Sequence, residues 1–359
     1  MSTKSPSGNP CDERFAAFAK RLSRRRLSGA LVFGEANIRS LIGIVCDNAC
    51  LAVRPSGEAA IFTDFRYTAM IRRVAPWLKL YETKRRQPFA AAVKARFPIS
   101  GRIGYENSIS AARYLSLRKT FRNSTLVDID DEVLSLRAVK SAPEMEALAR
   151  AAALNDEIWS LARRELRSGM TEKDFQRVIR GFMNALGDGE AFETIVCVGK
   201  NAAECHHVPD DTIWRKGDPM LVDMGVKLDG VCSDMTRNVV PRRPSPEYAK
   251  AYKTVLSANM AAIAAARPGI TAGALDKTAR DIIRKAGYGK AFGHSLGHGV
   301  GYEIHEAPTA RAGDKTVLEP GMVVTIEPGI YLEDRFGIRI EDLVLVTTTG
   351  CEVLSRSKK

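Results

Sequence analysis

The 359-residue chain lacks most of the features that place a protein in a class directly. No apolar run reaches the roughly 18–20 residues that a membrane span needs. The opening MSTKSPSGNPCDERFAAFAKR has no apolar core of the kind a secretory signal carries, so a cytoplasmic location and no membrane are the expectations. Cysteines stand at 11, 46, 50, 197, 205, 232 and 351. The number is odd and no CxxC occurs, which excludes a zinc knuckle or a thioredoxin-type site and leaves reduced thiols as the reading. No segment is of low complexity. Histidine is scarce, with five in all, and every one falls in two short segments, ECHHVPD (204–210) and FGHSLGHGVGYEIHE (292–306).

What is present describes a globular protein: 45% hydrophobic and 27% charged residues, and a length that suggests two domains. The formal net charge of +12 invites a nucleic-acid reading until it is divided along the chain. Residues 1–140 hold 25 Lys and Arg against 12 Asp and Glu; residues 141–359 hold 29 against 30. The excess therefore belongs to the first part alone. Its densest basic runs, RLSRRR (21–26) and KRR (84–86), lack interleaved aromatics and no nucleic-acid-binding motif accompanies them, so no nucleic acid is expected as a partner.

Residues 1–12 are polar and Pro/Ser-rich and are expected to be a disordered tail. Residues 13–28 read as a basic amphipathic helix with Phe15, Phe18, Ala19 and Leu22 on one side. Strands at 30–34 and within 49–64, a helix near 66–75, strands at 77–82 and 102–106 and a helix at 110–121 alternate as in a small α/β domain over residues 13–138. A boundary is expected in 137–146, where Ser141 and Glu144 form a capping-box pattern. The helix it opens runs to about 166, and Thr171 with Asp174 caps another. Strands follow, then helices near 246–266 and 272–286, then strands at 322–331 and 338–347. This helix-helix-strands order, given twice over residues 139–359, suggests two similar halves, with no repeat visible at the level of residues.

Three segments carry the chemistry. In PMLVDMGVKLDGVCSDMTRNVV (219–240), Asp229-Gly230 is a hairpin signal. A two-residue loop places Asp223 opposite Thr236 and puts Asp223 and Asp234 on one face as diagonal neighbours. Two carboxylates aimed at an apolar interior are costly unless paired or metal-bound. The alternative is a single buried Asp with an Arg partner such as Arg237. In residues 292–306, His294, His298 and His305 lie among glycines that disfavour a helix and suit close backbone approach. His305-Glu306 is not followed by the second His of HExxH. In VVTIEPGIYLEDRFGIRIEDLVLV (323–346), Glu327 ends one apolar strand and Glu341 lies inside another, where it points to the same face or forms an ion pair with Arg339. Four carboxylates with an imidazole suit hard divalent cations, two of them with bridging carboxylates. Such a site activates water for hydrolysis of an amide, ester or phosphate.

Together VDMGVKLDGVCSDMTR, HSLGHGVGYEIHE, IEPGIY and GIRIED resemble the motifs of the pita-bread metallopeptidases, among them Xaa-Pro aminopeptidase, prolidase and methionine aminopeptidase. NIRSLIGIV and AAIFTDFRYTAM are similar to a creatinase-type N-terminal domain, which favours the Xaa-Pro branch. The resemblance implies a small α/β N-terminal domain followed by a pseudo-two-fold pita-bread (creatinase/aminopeptidase) catalytic domain, an α/β (α+β) protein overall. It implies two divalent metal ions, Mn²⁺ first among them, with Co²⁺, Fe²⁺ or Zn²⁺ as other candidates. Asp223 would bind one metal, His298 and Glu327 the other, and Asp234 and Glu341 would bridge. Glu327 would also shuttle the proton, His206 and His305 would attend the scissile bond, and His294 and Arg339 would lie behind the ligands or in the substrate pocket. A homodimer acting on proline-containing peptides is implied at the family level. Two positions depart from the family pattern: Val231 where tyrosine is usual, and Cys205 where proline is common.

The leading expectation is a metallo-aminopeptidase that removes an N-terminal residue before proline (Xaa-Pro aminopeptidase). The alternative is an Xaa-Pro dipeptidase (prolidase). Further readings are a non-peptidase hydrolase or lyase of the same fold, or a basic nucleic-acid-binding module.

Overall fold

A computed structural model describes residues 10–359, with side chains from Glu13 onward. The expected tail falls largely outside the described residues; its last positions already belong to the first helix, α1 (Pro10–Arg24). The chain divides into two compact units, Met1–Arg137 and Ala138–Lys359. No helix among the described residues is long and apolar enough to cross a membrane.

The first unit is built on one six-stranded sheet. Its elements are β1 (Gly29–Val32), α2 (Glu35–Ile42), β2 (Ala49–Val53), β3 (Ala59–Thr63), α3 (Phe65–Val74), β4 (Lys79–Glu82), α4 (Phe89–Arg96), β5 (Arg102–Tyr105), α5 (Ala111–Thr120), β6 (Thr125–Asp128) and α6 (Asp130–Ala138). The strand order is β4-β3-β2-β1-β5-β6, antiparallel at the β1–β2–β3 meander and parallel outside it. β1, β2 and β3 are buried along their whole length, as strands covered on both faces must be. Helices α2, α4 and α6 went unread in the sequence. α2 and α4 are only eight residues long, too short for a clear period, and α4 opens at Pro88 with an alanine run that shows no apolar stripe.

The second unit begins with α7 (Ala142–Glu165) and α8 (Glu172–Leu186), each opened by the expected capping box: Ser141 with Glu144, and Thr171 with Asp174. Strands β7 (Ile195–Val198), β8 (Met220–Met224) and β11 (Met235–Val239) form a three-stranded antiparallel sheet, and the short pair β9 (Lys227–Leu228) and β10 (Val231–Cys232) continues the β8–β11 hairpin. Asp229 and Gly230 both adopt positive φ at its tip, as the tight primed turn requires. The register is as the turn dictates: Leu228 faces Val231 and Asp223 faces Thr236. Helices α9 (Pro246–Ala265) and α10 (Ala272–Lys285) follow. The remaining strands, β12 (Gly297–Gly299), β13 (Glu306–Ala310), β14 (Val323–Ile326), β17 (Asp342–Val346) and β18 (Cys351–Val353), form a five-stranded sheet, and β15 (Gly329–Leu332) pairs with β16 (Phe336–Arg339) as a separate hairpin.

The expected long strand 322–331 is thus two strands that break at Glu327-Pro328, where proline supplies no N–H to a ladder. Its partner breaks at Ile340-Glu341, so Glu341 stands at a strand junction and not inside a strand.

The structure also shows a repeat between the halves that is carried mainly by backbone hydrogen bonds, with one short segment alike in its residues. Arg-Ser-Gly-Met-Thr (167–171) and Arg-Pro-Gly-Ile-Thr (267–271) occupy equivalent places. Gly169 and Gly269 both take positive φ, and Thr171 and Thr271 both cap their helices. Each segment pairs with a similar extended stretch, 210–214 or 314–318. Gly169 N donates to Trp214 O and Gly269 N to Leu318 O, and the backbone bonds of residues 172 and 272 go to Thr212 and Thr316. Below these caps, α8 buries Phe175, Ile179 and Met183, while α10 buries Leu275, Ala279 and Ile283. The halves share a scaffold of backbone hydrogen bonds and apolar positions; the residue types filling them differ.

Candidate active site

The acidic residues converge within the second unit because the strand junctions carry them there. Asp223 lies on β8, flanked by Ile195 on β7 and Thr236 on β11. Asp234 immediately precedes β11, Glu327 follows β14, and Glu341 stands between β16 and β17. His298 is on β12, where glycine is obligatory: a Cβ on Gly297 would strike the Thr325 backbone, and one on Gly299 would strike Ala307. The expected use of these glycines for close approach is what the fold shows.

His298 Nδ1 lies 3.0 Å from Gly299 O and its backbone N–H donates to Thr325 Oγ1. Burial drives its pKa down to about 4, so the imidazole is neutral. With the Nδ1 proton donated to the carbonyl, Nε2 presents a lone pair, yet it faces Asp234 Oδ2 at 3.6 Å and Glu327 Oε1 at 3.4 Å. Ligand atoms of Asp234, His298 and Glu341 all lie within 4.8 Å of one another. Asp223 Oδ1 is buried without a hydrogen-bond partner.

The carboxylates push one another's proton affinity upward. Asp234 and Glu341 titrate well above the ordinary range, through burial first and then through each other and the neighbouring acids. Glu327 is raised to about 8 by burial, with Asp223 adding to the shift and Arg339 opposing it. A set of buried acceptors with so few donors is unstable as a closed protein network and fits divalent cations bound to carboxylates and one neutral imidazole.

The few donors are specific. Thr236 Oγ1 donates to Glu341 Oε2 at 2.6 Å and accepts from Arg339 Nε at 2.9 Å. Thr325 Oγ1 donates to Glu327 Oε1 at 3.2 Å. Arg339, 3% exposed, pairs with Asp223 Oδ2 at 2.7 Å and with Tyr331 Oη at 2.8 Å. The partner of Arg339 is therefore Asp223 and not Glu341. Arg237, offered in the sequence as a partner for the aspartates of the hairpin, pairs instead with Asp342 at 2.8 Å.

Tyr331 extends this chain of hydrogen bonds to His294 Nε2 at 2.9 Å, while His294 Nδ1 meets Ser295 O at 2.7 Å. His294 is neutral, its pKa lowered to about 4 by burial and then by Arg339. His305 is exposed and packs edge-on against His298, with centroids 4.3 Å apart. His206 is exposed on the loop after β7, and the carbonyl of the preceding Cys205 reaches Arg339 Nη1 at 3.5 Å. Val231 is buried in an apolar cluster with Leu148 and Val300. Cys46, Cys50, Cys197, Cys205, Cys232 and Cys351 are free thiols.

The sequence assigns no functional role to Thr325, to Tyr331 or to Thr236, which enters there only as the residue facing Asp223. Their positions inside the quoted motifs were the available signal, but a hydroxyl in a strand is indistinguishable from an ordinary β-former until its partners are in view.

Comparison with known proteins places the whole chain. Residues 146–348 match the model of Metallopeptidase family M24, and residues 14–139 that of the Creatinase/Prolidase N-terminal domain. The Xaa-Pro dipeptidase of Pyrococcus furiosus is 37% identical over 258 residues, 72% of this chain and 74% of its own. The solved Xaa-Pro dipeptidase from Bacillus anthracis has a TM-score of 0.91 at 30% identity, over 97% of this chain and 98% of that one. The X-Pro aminopeptidase from Thermotoga maritima gives 0.84 at 31% identity, over 94% and 98%. On the match of both family models and of these relatives, the chain belongs to metallopeptidase family M24, a pita-bread peptidase preceded by a creatinase/prolidase-type N-terminal domain.

Proposed function

We propose that the chain is a metal-dependent Xaa-Pro dipeptidase (prolidase). The observation that carries the reading is the buried convergence of Asp223, Asp234, His298, Glu327 and Glu341, with few protein donors among them and Asp223 Oδ1 left without a hydrogen-bond partner. The sequence put the aminopeptidase first. The relatives support the dipeptidase better: dipeptidases and prolidases from several organisms stand among the similar sequences and structures, against fewer aminopeptidases.

In this reading Asp223 would help hold one cation, His298 and Glu327 the other, and Asp234 and Glu341 would contribute to both. Bound there, two divalent cations, Mn²⁺ foremost, supply Lewis acidity that activates a water and polarises the scissile carbonyl. The chain's own groups do the rest. Glu327 takes a proton from the attacking water and hands it to the departing prolyl nitrogen. His206 and His305, exposed beside this cluster, donate hydrogen bonds where negative charge develops and toward the departing prolyl nitrogen, which has no proton of its own. Arg339 bonds through all three nitrogens and so positions Asp223, Thr236 and Tyr331. His294, braced by Tyr331, forms part of the pocket wall. A homodimer in the cytoplasm completes the proposal, to be checked by light scattering and cell fractionation.

The test is hydrolysis of Xaa-Pro dipeptides and Xaa-Pro-Yaa tripeptides by protein loaded with Mn²⁺ or Co²⁺. Dipeptides are expected to be cleaved and longer peptides poorly. Cleavage of tripeptides in preference restores the aminopeptidase reading; cleavage of neither removes the peptidase assignment. Asp234→Ala and His298→Ala are expected to be inactive.

A further inference from the structure

A second buried network lies behind the two glutamates, and the C-terminal tail completes it. Asp342, adjacent to Glu341, is fully buried. Its Oδ1 accepts from Arg237 Nη2 at 2.8 Å; its Oδ2 accepts from Asn259 Nδ2 at 3.0 Å and Lys359 Nζ at 2.7 Å. Asn259, fully buried on α9, also donates to Ile326 O at 3.0 Å and Ile340 O at 3.3 Å. These are the carbonyls immediately before Glu327 and Glu341. Arg237 Nη1 donates to Thr236 O and to Glu341 O. The network thus holds the backbone on which both glutamates are mounted.

Lys359 provides its outer end. Its ammonium donates to Asn259 Oδ1 at 2.8 Å as well as to Asp342, and its side chain is only 23% exposed. The tail that delivers it is anchored: Asp156 accepts from Arg356 N at 2.6 Å and Ser357 N at 2.7 Å, and Ser357 O accepts from Arg237 Nε at 3.1 Å. The other half of the unit offers an internal comparison. Asn155 on α7 donates to Met224 O much as Asn259 donates to Ile326 O, but Asn155 Oδ1 is buried with no partner. The ammonium is the addition, and it occurs in the half that carries the two glutamates.

We propose that the C-terminal tail is a positioning element for the metal centre: Lys359 completes the Asn259–Asp342–Arg237 network and thereby fixes Glu327 and Glu341 for cation binding. The inference rests on the metal assignment above. Without the ammonium, Asn259 Oδ1 has no donor and one oxygen of a buried carboxylate keeps a single amide contact, an arrangement that relaxes by shifting the amide and the carbonyls it holds.

The test uses the full chain. Lys359→Met removes the charge and keeps the stem, Lys359→Arg restores a cation, and Asp156→Ala releases the tail without touching the network. Lys358→Ala, at an exposed position, is the control. Mn²⁺ alone is titrated into metal-free protein by calorimetry, and thermal unfolding is recorded beside it. Outer groups that orient metal ligands typically set affinity by 10- to 100-fold, so Lys359→Met and Asp156→Ala are expected to weaken Mn²⁺ binding about tenfold. Lys359→Arg is expected to recover most of this, and Lys358→Ala to bind as wild type does. Unchanged Mn²⁺ affinity in Lys359→Met overturns the inference even if the protein melts earlier, and so does an equal loss in Lys358→Ala. A wild-type chain that binds no Mn²⁺ overturns the metal assignment itself; wild-type binding with an indifferent Lys359 overturns only the role of the tail.

Discussion

Replacing Thr236 by valine removes one oxygen and leaves the volume of the side chain almost unchanged. In the structure that oxygen is fully buried and sits between two ionisable groups, donating to Glu341 Oε2 at 2.6 Å and accepting from Arg339 Nε at 2.9 Å. A hydrogen bond to a charged group contributes about 1.5–3 kcal/mol, and its loss leaves the partner's desolvation uncompensated. Arg339 keeps Asp223 and Tyr331, and Glu341 loses the one side-chain donor that orients it. Thr236→Val is therefore expected to destabilise the metal-free protein by about 2.5 kcal/mol, taken as one bond to the charged guanidinium at the low end of that range and about 1 kcal/mol for the bond to Glu341, whose burial among other acids favours its neutral form. Thr236→Ser keeps the oxygen and loses a methyl, a change of about 1 kcal/mol. Urea unfolding of the three metal-free proteins measures both. Displacing a group that orients a ligand also predicts weaker Mn²⁺ binding, by about 10- to 100-fold in Thr236→Val. A valine variant as stable as wild type, or a serine variant as damaged as the valine, would refute the claim that the hydroxyl, and not packing, fixes Glu341.

Further outcomes follow from the same geometry. Glu172 is fully buried and its carboxylate accepts from Val198 N, Asn201 Nδ2, His207 Nε2 and Asp210 N, which tie down the loop bearing His206. Glu172→Gln puts a donor among these donors and is expected to cost about 2–3 kcal/mol and to lower kcat more than KM, read by unfolding and steady-state kinetics. His207 has its pKa raised above 6.5: burial opposes protonation, and the hydrogen bond and charge of Glu172 outweigh it. Protonated His207 thus adds stability that is complete below pH 6.5 and fades as pH rises through the higher folded-state pKa. The stability difference between wild type and His207→Asn is accordingly expected to shrink above pH 6.5, and a difference flat in pH would exclude the pairing. Removing divalent cations with a chelator is expected to lower the melting temperature, since a ligand at a hundredfold excess over its Kd adds about 2.7 kcal/mol to the folded state. That shift should vanish in Asp234→Ala, which unfolding with and without Mn²⁺ will reveal.

What was legible in the sequence was local. Asp229-Gly230 dictates a two-residue turn, the turn dictates the register, and the register places Asp223 across from Thr236; each step involves residues close in the chain. The capping boxes at Ser141 and Thr171 are local in the same way, and so is the incompatibility of the glycines around His298 with a helix. The five acidic and imidazole positions could be singled out because chemistry restricts which residues can hold a hard cation. The repeat between the halves was hidden because it is written in backbone hydrogen bonds and in the capping of α8 and α10, which many residue types satisfy.

Only the tertiary structure could decide which charge meets which. Arg339 and Glu341 are two residues apart, yet the breaks at Glu327-Pro328 and Ile340-Glu341 turn Arg339 toward Asp223 and leave Glu341 to Thr236. Arg237 was available to the aspartates of its own hairpin and reaches Asp342, far along the chain, instead. Nothing local to Lys359 marks it in the sequence, and it closes a buried network behind the glutamates. The physical reason is common to all three. Residue type and spacing determine what a side chain is able to bind, while its partner is chosen by the desolvated space into which distant strands are packed, where an unpaired charge is too costly to remain.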